Sequence, residues 1–506
     1  MPLERSAAGD HNPWLVAVIV SMATFMEVLD TSIANVSLQH IAGSMAASQE
    51  ESTWVLTSYL VSNAIILPIS GWLAKIVGRK RFYMCCVGLF GGSSLLCGIA
   101  PSLNWLIIFR ILQGLGGGGL APSEQSILAD TFPPEKRGQA FALYGIAVVV
   151  APTLGPTLGG WITDSYSWRW IFLINVPICL LSLFLSGLIL VDPPAVLKER
   201  ADALKNGIRF DWLGFLLVAI GLGFLQVVLD KGTEDDWFGS DFIVVCMLIS
   251  GVALAAMVFW ELHTEEPIVD LPLARDRSFG SAMIVMFVTG FILISTTQIL
   301  PQFLQSIMGY TAMKAGLALT AGGFATLLMM PLVGGLLTKI QPKYLIAFGL
   351  AVEALACWHL QDFNTEVSFW HVAVARMFQG AGLPFLFVPI TTVSYAGLPP
   401  DKSNNASALI NTMRNLGGSF GISVAVALLA RRGQFHHARL AEHVTSYSTA
   451  PRTAGGVAAI GGVLERQADM LSYIDVFALL TVVAAVAILT TFLLRSIKPE
   501  EAHAGH

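Results

Sequence analysis

Two carboxylates, Glu27 and Asp30, stand three residues apart in TFMEVLDTSIANVSL (24–38), a stretch otherwise suited to hydrocarbon. A carboxylate near the centre of a bilayer costs several kcal/mol unless it is protonated, paired or facing water. At i and i+3 the two share one helical face, and carboxylates in a low dielectric oppose each other's ionisation, so one of them can hold a proton at neutral pH. A proton relay needs such a group, which gains and loses its proton as access alternates. The plain alternative is a buried carboxyl neutralised permanently by a neighbour. Arg110, in LNWLIIFRILQG, poses the complementary problem. An unpaired guanidinium in an apolar run must find a carboxylate, a carbonyl or water. Gln113 follows one turn further along. Glu124, Glu353, Arg376 and Arg414 are the other polar residues of this kind, and FGLAVEALAC offers Glu353 no local partner. Glu353 and Arg414 are candidate substrate contacts, and a carboxyl held neutral by a neighbouring helix is the competing reading for Glu353. Phe25 and Met26 flank the acidic pair; Met adapts its shape and suits promiscuous apolar surfaces, but both are also ordinary residues of a span.

The elements that must carry these residues are membrane helices. Of 506 residues, 55 % are hydrophobic and 12 % charged, with a mean hydropathy of +0.68; a soluble globular protein is about 25 % charged. Apolar segments long enough to cross about 30 Å of hydrocarbon recur at 14–36, 53–73, 82–100, 104–128, 138–163, 170–190, 212–230, 241–261, 280–300, 314–337, 343–361, 369–394, 404–430 and 473–495. The alternating pattern of a membrane barrel is absent, so helices satisfy the backbone, and the fold class is an all-α polytopic membrane protein of fourteen spans. The opening MPLERSAAGDHNPW carries no cleavage signal, and the first span is expected to remain.

With the amino terminus in the cytoplasm, that side collects 18 Lys and Arg, among them Arg5, Lys75, Arg79, Lys80, Arg81, Arg209, Lys402, Arg495 and Lys498; the other side holds Arg169, Lys231, Lys314 and five more in 431–471. The positive-inside rule then places both termini in the cytoplasm. The chain also repeats itself. RILQGLGGGG at Arg110 matches RMFQGAGLPF at Arg376 at an offset of 266, which also carries PPEK at Pro133 onto PPDK at Pro399. The fourth span thus corresponds to the twelfth, and two extra helices must separate parallel six-span halves: 6 + 2 + 6, with a substrate site near the midplane between the halves. The expected divisions are 1–191, an amino-terminal bundle; 192–263, a connector and the two extra spans; and 264–506, a carboxy-terminal bundle with a periplasmic loop at 431–471.

LDTSIANVSL, GWLAKIVGRKR, RILQGLGGGG, APTLGPTLGG and SWRWIFLINVPI together resemble the fourteen-helix drug:proton antiporter branch of the major facilitator superfamily. DWLGFLLVAIGLGFLQVVLDKG, FWELHTEEPIVDL, LPQFLQSIMGY and FHHARLAEHV look most like the EmrB type, the inner-membrane component of a tripartite efflux pump. The resemblance implies an Asp30–Arg110 pair in a binding cavity with Gln113 beside it. It makes Pro152, Gly155, Pro156, Gly159 and Gly160 the antiporter motif, and Gly71, Lys75, Gly78 and Arg79 the cytoplasmic gate. Asp30 is favoured over Glu27 because it belongs to the motif. Small residues at four-residue spacing also serve tight packing, and a proline bends a helix whatever the function. The sequence departs from the family at two places: Lys75 and Ile76 stand where the gate motif carries an Asp and an Arg, so its charge relay is expected to be altered, and Gln39 replaces a motif Pro.

Together these features point to a proton-coupled antiporter of the bacterial inner membrane that exports hydrophobic drug-like molecules, with membrane lipid around it and a periplasmic membrane-fusion adaptor and outer-membrane channel as expected partners. An exporter of a native lipid or metabolite, or a non-transporting receptor on the same fold, remains open at this level. No nucleic-acid footprint, cofactor loop or metal-ligand spacing is present. The six cysteines fall within spans without C-x-x-C spacing, and Gly114–Gly119 lacks the strand and the G-K-[ST] of a phosphate loop. No nucleophile stands with a base, so an enzyme is not expected.

Overall fold

The computed structural model describes residues 11–205, 210–264, 267–395, 402–444 and 454–494. Arg5, Arg209, Arg495, Lys498, Pro399 and the stretch 445–453 lie outside the described residues. Among the described residues every regular element is helical. We number the long membrane segments α1 (Pro13–Val36), α2 (Gln49–Val77), α3 (Arg79–Gly98), α4 (Leu103–Gly117 with Leu120–Thr131), α5 (Pro134–Ser165), α6 (Trp170–Ile189), α7 (Trp212–Lys231), α8 (Asp241–His263), α9 (Arg277–Ser306), α10 (Ala312–Leu336), α11 (Pro342–Leu360), α12 (Phe369–Tyr395), α13 (Ser403–Ala441) and α14 (Ala454–Ile488). Among the described residues, twelve helices are long and apolar enough to cross a membrane, and α5, bent by 45° between Lys136–Pro152 and Leu154–Ser165, is a thirteenth. The fourteenth, α4, falls short because Gly118 and Gly119 split it. Both keep right-handed helical dihedrals, so the backbone holds its helical sense through the break.

The bend in α5 has a local cause. Pro156 has no N–H to give to the carbonyl of Pro152, and the hydroxyl of Ser32 on α1 fills that carbonyl instead, at 2.9 Å. Irregular backbone at membrane depth survives only where neighbours re-satisfy it. A Cβ at Gly155 would overlap the Ser32 side chain, and one at Gly159 would stand 3.2 Å from the Ile33 carbonyl. The glycine stripe therefore lets α5 lie directly on α1. In the second half of the chain α13 lies on α9 in the same way: Gly417 faces the Phe287 carbonyl and Gly421 the Phe291 carbonyl.

The halves meet along α5 against α10 and α2 against α13. At the end of the bundle rich in Lys and Arg they are pressed together: Gly71 sits on Asn405, Gly138 on Leu337, and the rings of Phe141 and Tyr395 stack at 5.3 Å. Toward the opposite end Asn35 on α1 donates to Gln298 on α9 at 2.8 Å. α7 packs on α8 and on α2, and Ser419 of α13 donates to Gln226 of α7 at 2.9 Å.

The segment 431–471, read from sequence as a loop outside the spans, is largely helix. α13 runs on without interruption to Ala441, and α14 has begun by Ala454. The lone Gly433 is too weak a breaker to end a helix, and the Asp475 carboxylate of α14 holds the extension by accepting from Arg432 and from His436, the latter at 2.7 Å. Replacing Gly155 by Val forces α1 and α5 apart. Overpacking of this kind costs about 1–3 kcal/mol, so the purified variant is expected to melt several degrees below the native chain by scanning fluorimetry, and an unchanged melting temperature would show that the two helices do not depend on this approach.

Candidate functional site

Asp30 lies at the centre of a polar cluster built from five helices. Arg110 on α4 donates through Nη1 to Asp30 Oδ2 at 2.6 Å. Gln113, one turn on, donates to Asp30 Oδ1 at 3.0 Å, and Asn175 on α6 donates to the same oxygen at 2.7 Å. Ser94 on α3 accepts from Gln113 at 2.7 Å and from Asn175 at 3.3 Å. Arg110 also gives Nη1 to Gln113 Oε1 at 2.7 Å and Nε to the Val55 carbonyl at 3.0 Å, and its guanidinium lies 4.2 Å from the Tyr59 ring centroid. Both side chains of the ion pair are out of solvent, at 0 % and 1 % exposure. A charge so placed is tolerated only when paired and hydrogen-bonded. The Asp30 carboxylate accepts three N–H bonds and stands paired with Arg110.

Glu27, on the same helix, belongs to a different environment. It is half-buried and accepts from Tyr59 at 2.8 Å and Asn63 at 3.2 Å, both on α2. From Asn63 a polar chain crosses between the halves. Asn415 on α13 donates to Asn63 at 3.2 Å; its neighbour Arg414 donates to Tyr144 on α5, which donates to Asn411 at 2.9 Å; Asn411 and Ser407 both donate to Gln125 on α4, at 2.9 Å and 2.8 Å. A carboxylate and a guanidinium thus face one region from opposite halves, and their charges act on one another. Glu124, deep on α4, accepts from Ser21 on α1. Of the residues expected along a substrate cavity, Phe25 is partly exposed, whereas Met26, Gln113, Glu353 and Arg414 are buried. Glu353 is not brought to Asp30; it lies within the second half, against α12.

At the Lys- and Arg-rich end, Gly78 turns the chain between α2 and α3 with φ of +94°, a conformation L side chains rarely adopt. Arg79, the next residue, pairs with Asp130 at the end of α4 and donates to Ser403 at the start of α13, 3.0 Å away. Asp192 accepts the Lys80 backbone N–H at 2.8 Å, Arg200 donates to the Ile76 carbonyl at 3.1 Å, and Lys402 pairs with Asp270 at 3.0 Å. Lys75 is exposed. Arg79 and Ser403 thus tie the first half to the second at this end.

The family model of the Major Facilitator Superfamily matches residues 20–422 and 282–505. The chain belongs to the major facilitator superfamily. The multidrug export protein EmrB of Haemophilus influenzae is 40 % identical over 435 residues, covering 86 % of this chain and 84 % of that protein. The fatty acid resistance protein FarB of Neisseria gonorrhoeae is 39 % identical over 433 residues, with 86 % and 84 % covered. Among solved structures, the proton:xylose symporter XylE bound to a sugar analogue superposes with a TM-score of 0.63 at 15 % identity over 97 % of this chain and 98 % of that one, a likeness of fold.

Within this superfamily fold, Asp30, Arg110 and Gln113 form one cluster, and Pro152, Gly155 and Gly159 form the contact of α5 with α1; Gly160 is buried on the same helix. Sequence reading passed over Ser94, Asn175 and Tyr59 in the cluster and Asp130 and Ser403 at the gate. Asn175 carried a signal, being the one amide in the run WIFLINVPICLL, but which helix it would meet is not encoded in spacing. Asp30→Asn leaves Arg110 buried without its counter-charge, a loss of about 3–5 kcal/mol. Adding Arg110→Gln is expected to recover part of it, so the double variant melts above the single one; strictly additive melting shifts would show that the two do not act as a unit.

Proposed function

We propose that this chain is a proton-driven exporter of hydrophobic small molecules working by alternating access, with Asp30 as the coupling carboxylate. The observation that carries this reading is the fully buried Asp30–Arg110 pair, closed by Gln113 and Asn175, in a chain about 40 % identical to a multidrug export protein. A proton arriving at Asp30 cancels its charge and frees Arg110, and the cluster must rearrange; loss of the proton on the other side restores the pair. Substrate and proton affinities are then coupled, and coupling is reciprocal. The Lys- and Arg-rich end is taken as cytoplasmic, which puts both termini there, in the bacterial inner membrane. The divisions 1–191, 192–263 and 264–506 follow from the repeat. With 39 residues, α13 is about 58 Å long at 1.5 Å per residue, well beyond the hydrocarbon. Its projecting end offers a periplasmic surface to a membrane-fusion adaptor, itself joined to an outer-membrane channel.

Cargo of either charge suits the region between the halves, where Glu27 faces cations and Arg414 faces acids. FarB is named for resistance to a class of lipophilic acids, which supports the second. In liposomes carrying the purified chain and a pH gradient, tetraphenylphosphonium and a permanently charged lipophilic sulfonate are expected to evoke proton flux through native protein and not through folded Asp30→Asn. Equal flux in both overturns the assignment of Asp30. Glu27→Gln is expected to weaken the cation response about tenfold, the loss of a charged contact of roughly 1.5–3 kcal/mol, and to leave the sulfonate response within about twofold.

A further inference from the structure

The offset of 266 that carries Arg110 onto Arg376 and Gln113 onto Gln379 also carries Asp30 onto Thr296 and Val87 onto Glu353. The hydrogen bonds follow the same relation. Arg376 gives Nη1 to Gln379 Oε1 as Arg110 does to Gln113, and Gln379 Nε2 reaches Thr296 at 3.1 Å as Gln113 Nε2 reaches Asp30. The second half therefore has the arginine and the amide, no carboxylate at this place on its first helix, and one on its third. Packing agrees with this alignment. Gly116 faces α3 at Cys86 and Phe90; its copy Gly382 faces α11, where an added Cβ would stand 3.1 Å from Glu353 Oε1.

Glu353 is fully buried, and among the described residues neither of its carboxyl oxygens has a hydrogen-bond partner; the Nε of Arg376 has none either. The charged and titratable groups acting on Glu353 are Arg376 on α12 and Cys357 on its own helix, with the Gln379 amide alongside; α14, on the other flank of α11, adds no titratable group to this set. An ionised carboxylate cannot rest in such a place without a donor. Two arrangements relieve it: the carboxyl carries a proton, or it closes on Arg376. The first half stands in the closed arrangement, Asp30 on Arg110; the second stands open.

We propose that Glu353 is a second proton-carrying group, alternating between a neutral acid and an ion pair with Arg376, so that the chain moves two protons for each substrate. The inference rests on the proposed proton-driven export. Each step is a simple transfer. Water on the periplasmic side gives a proton to a Glu353 oxygen, Arg376 keeps its own charge throughout, and the same proton leaves to cytoplasmic water when the pair forms.

The test is the current evoked by tetraphenylphosphonium in proteoliposomes of the full chain on a solid-supported membrane. Exchange of two protons for one monovalent cation moves net charge, whereas exchange of one moves none. The native chain is expected to give a current that Glu353→Gln loses by about tenfold or more while keeping uptake of the cation driven by the pH gradient. An undiminished current in Glu353→Gln overturns the proposal. If the native chain exchanges no cation for protons, it is the export reading that fails. A readout independent of transport is the pH-difference infrared spectrum of the purified chain. Its carboxylic C=O band is expected to disappear in Glu353→Gln and to shift in Glu353→Asp, and a band unchanged in both variants overturns the proposal without any substrate.

Discussion

The structure depends on one costly contact, the ion pair of Asp30 and Arg110 sealed inside the first half. Desolvating two charges costs several kcal/mol each, and their attraction repays this only when every remaining donor and acceptor is met. Here much of the repayment comes from three other helices, Gln113 extending Arg110 on α4, Asn175 coming from α6, Ser94 from α3 and the Val55 carbonyl from α2, while among the described residues Arg110 Nη2 and Asn175 Oδ1 have no hydrogen-bond partner. That set of partners fixes how the first, second, third, fourth and sixth spans sit around one point. Packing alone would be served as well by apolar side chains of similar volume. A buried pair held by so many polar partners therefore points to a role beyond packing, the role proposed above for Asp30.

A two-state element needs halves that can move, and the strengths of the contacts indicate where. Inside each half, helices approach through glycine, Gly155 and Gly159 on α1 and Gly417 and Gly421 on α9, close contacts that leave no room for sliding. Between the halves, neutral groups meet at Asn63 with Asn415, Tyr144 with Asn411 and Gln125 with Ser407 and Asn411, beside the charged donors Arg414 to Tyr144 and Arg79 to Ser403 and the glycine contact of Gly71 on Asn405. Such hydrogen bonds in membranes are worth about 0.6 kcal/mol each on average, and water can replace them when the seam opens.

Much of this was legible in the sequence, for physical reasons. A run of apolar residues the length of the bilayer has few alternatives to a spanning helix, so the fourteen segments could be counted before their packing was known. Glu27, Asp30 and Arg110 stood out because charge in hydrocarbon needs a reason. Partners were harder. Ser94, Asn175 and Tyr59 are ordinary residues until the fold brings them into the cluster, and the repeat offset places Glu353 on Val87 but not against Arg376, which only the packing shows. Within 431–471 the sequence marks FHHARLAEHV as an amphipathic helix but not its unbroken continuation from α13, because polar side chains cost a helix nothing outside hydrocarbon and only a strong breaker stops it. Glu27 and Asp30 share a face, as their spacing requires, yet one faces α2 and the seam while the other faces the interior of its half.

The two extra helices fit this division of labour. α7 lies along the seam itself, touching α2 of one half and α13 of the other, so any rocking must leave it with one of them. Its ties to α2 involve charge: Asp230 accepts from Thr57, and Lys231 donates to Thr53. Its tie to α13 is the neutral bond from Ser419 to Gln226. Charged hydrogen bonds are worth roughly 1.5–3 kcal/mol against about 0.5–1.5 for neutral ones, so α7, with α8 behind it, stays with the first half. The contact of α7 with α13 is thus the weaker of its two, and the half with the closed Asp30–Arg110 pair is the one to which the additional helices are tied by charged bonds.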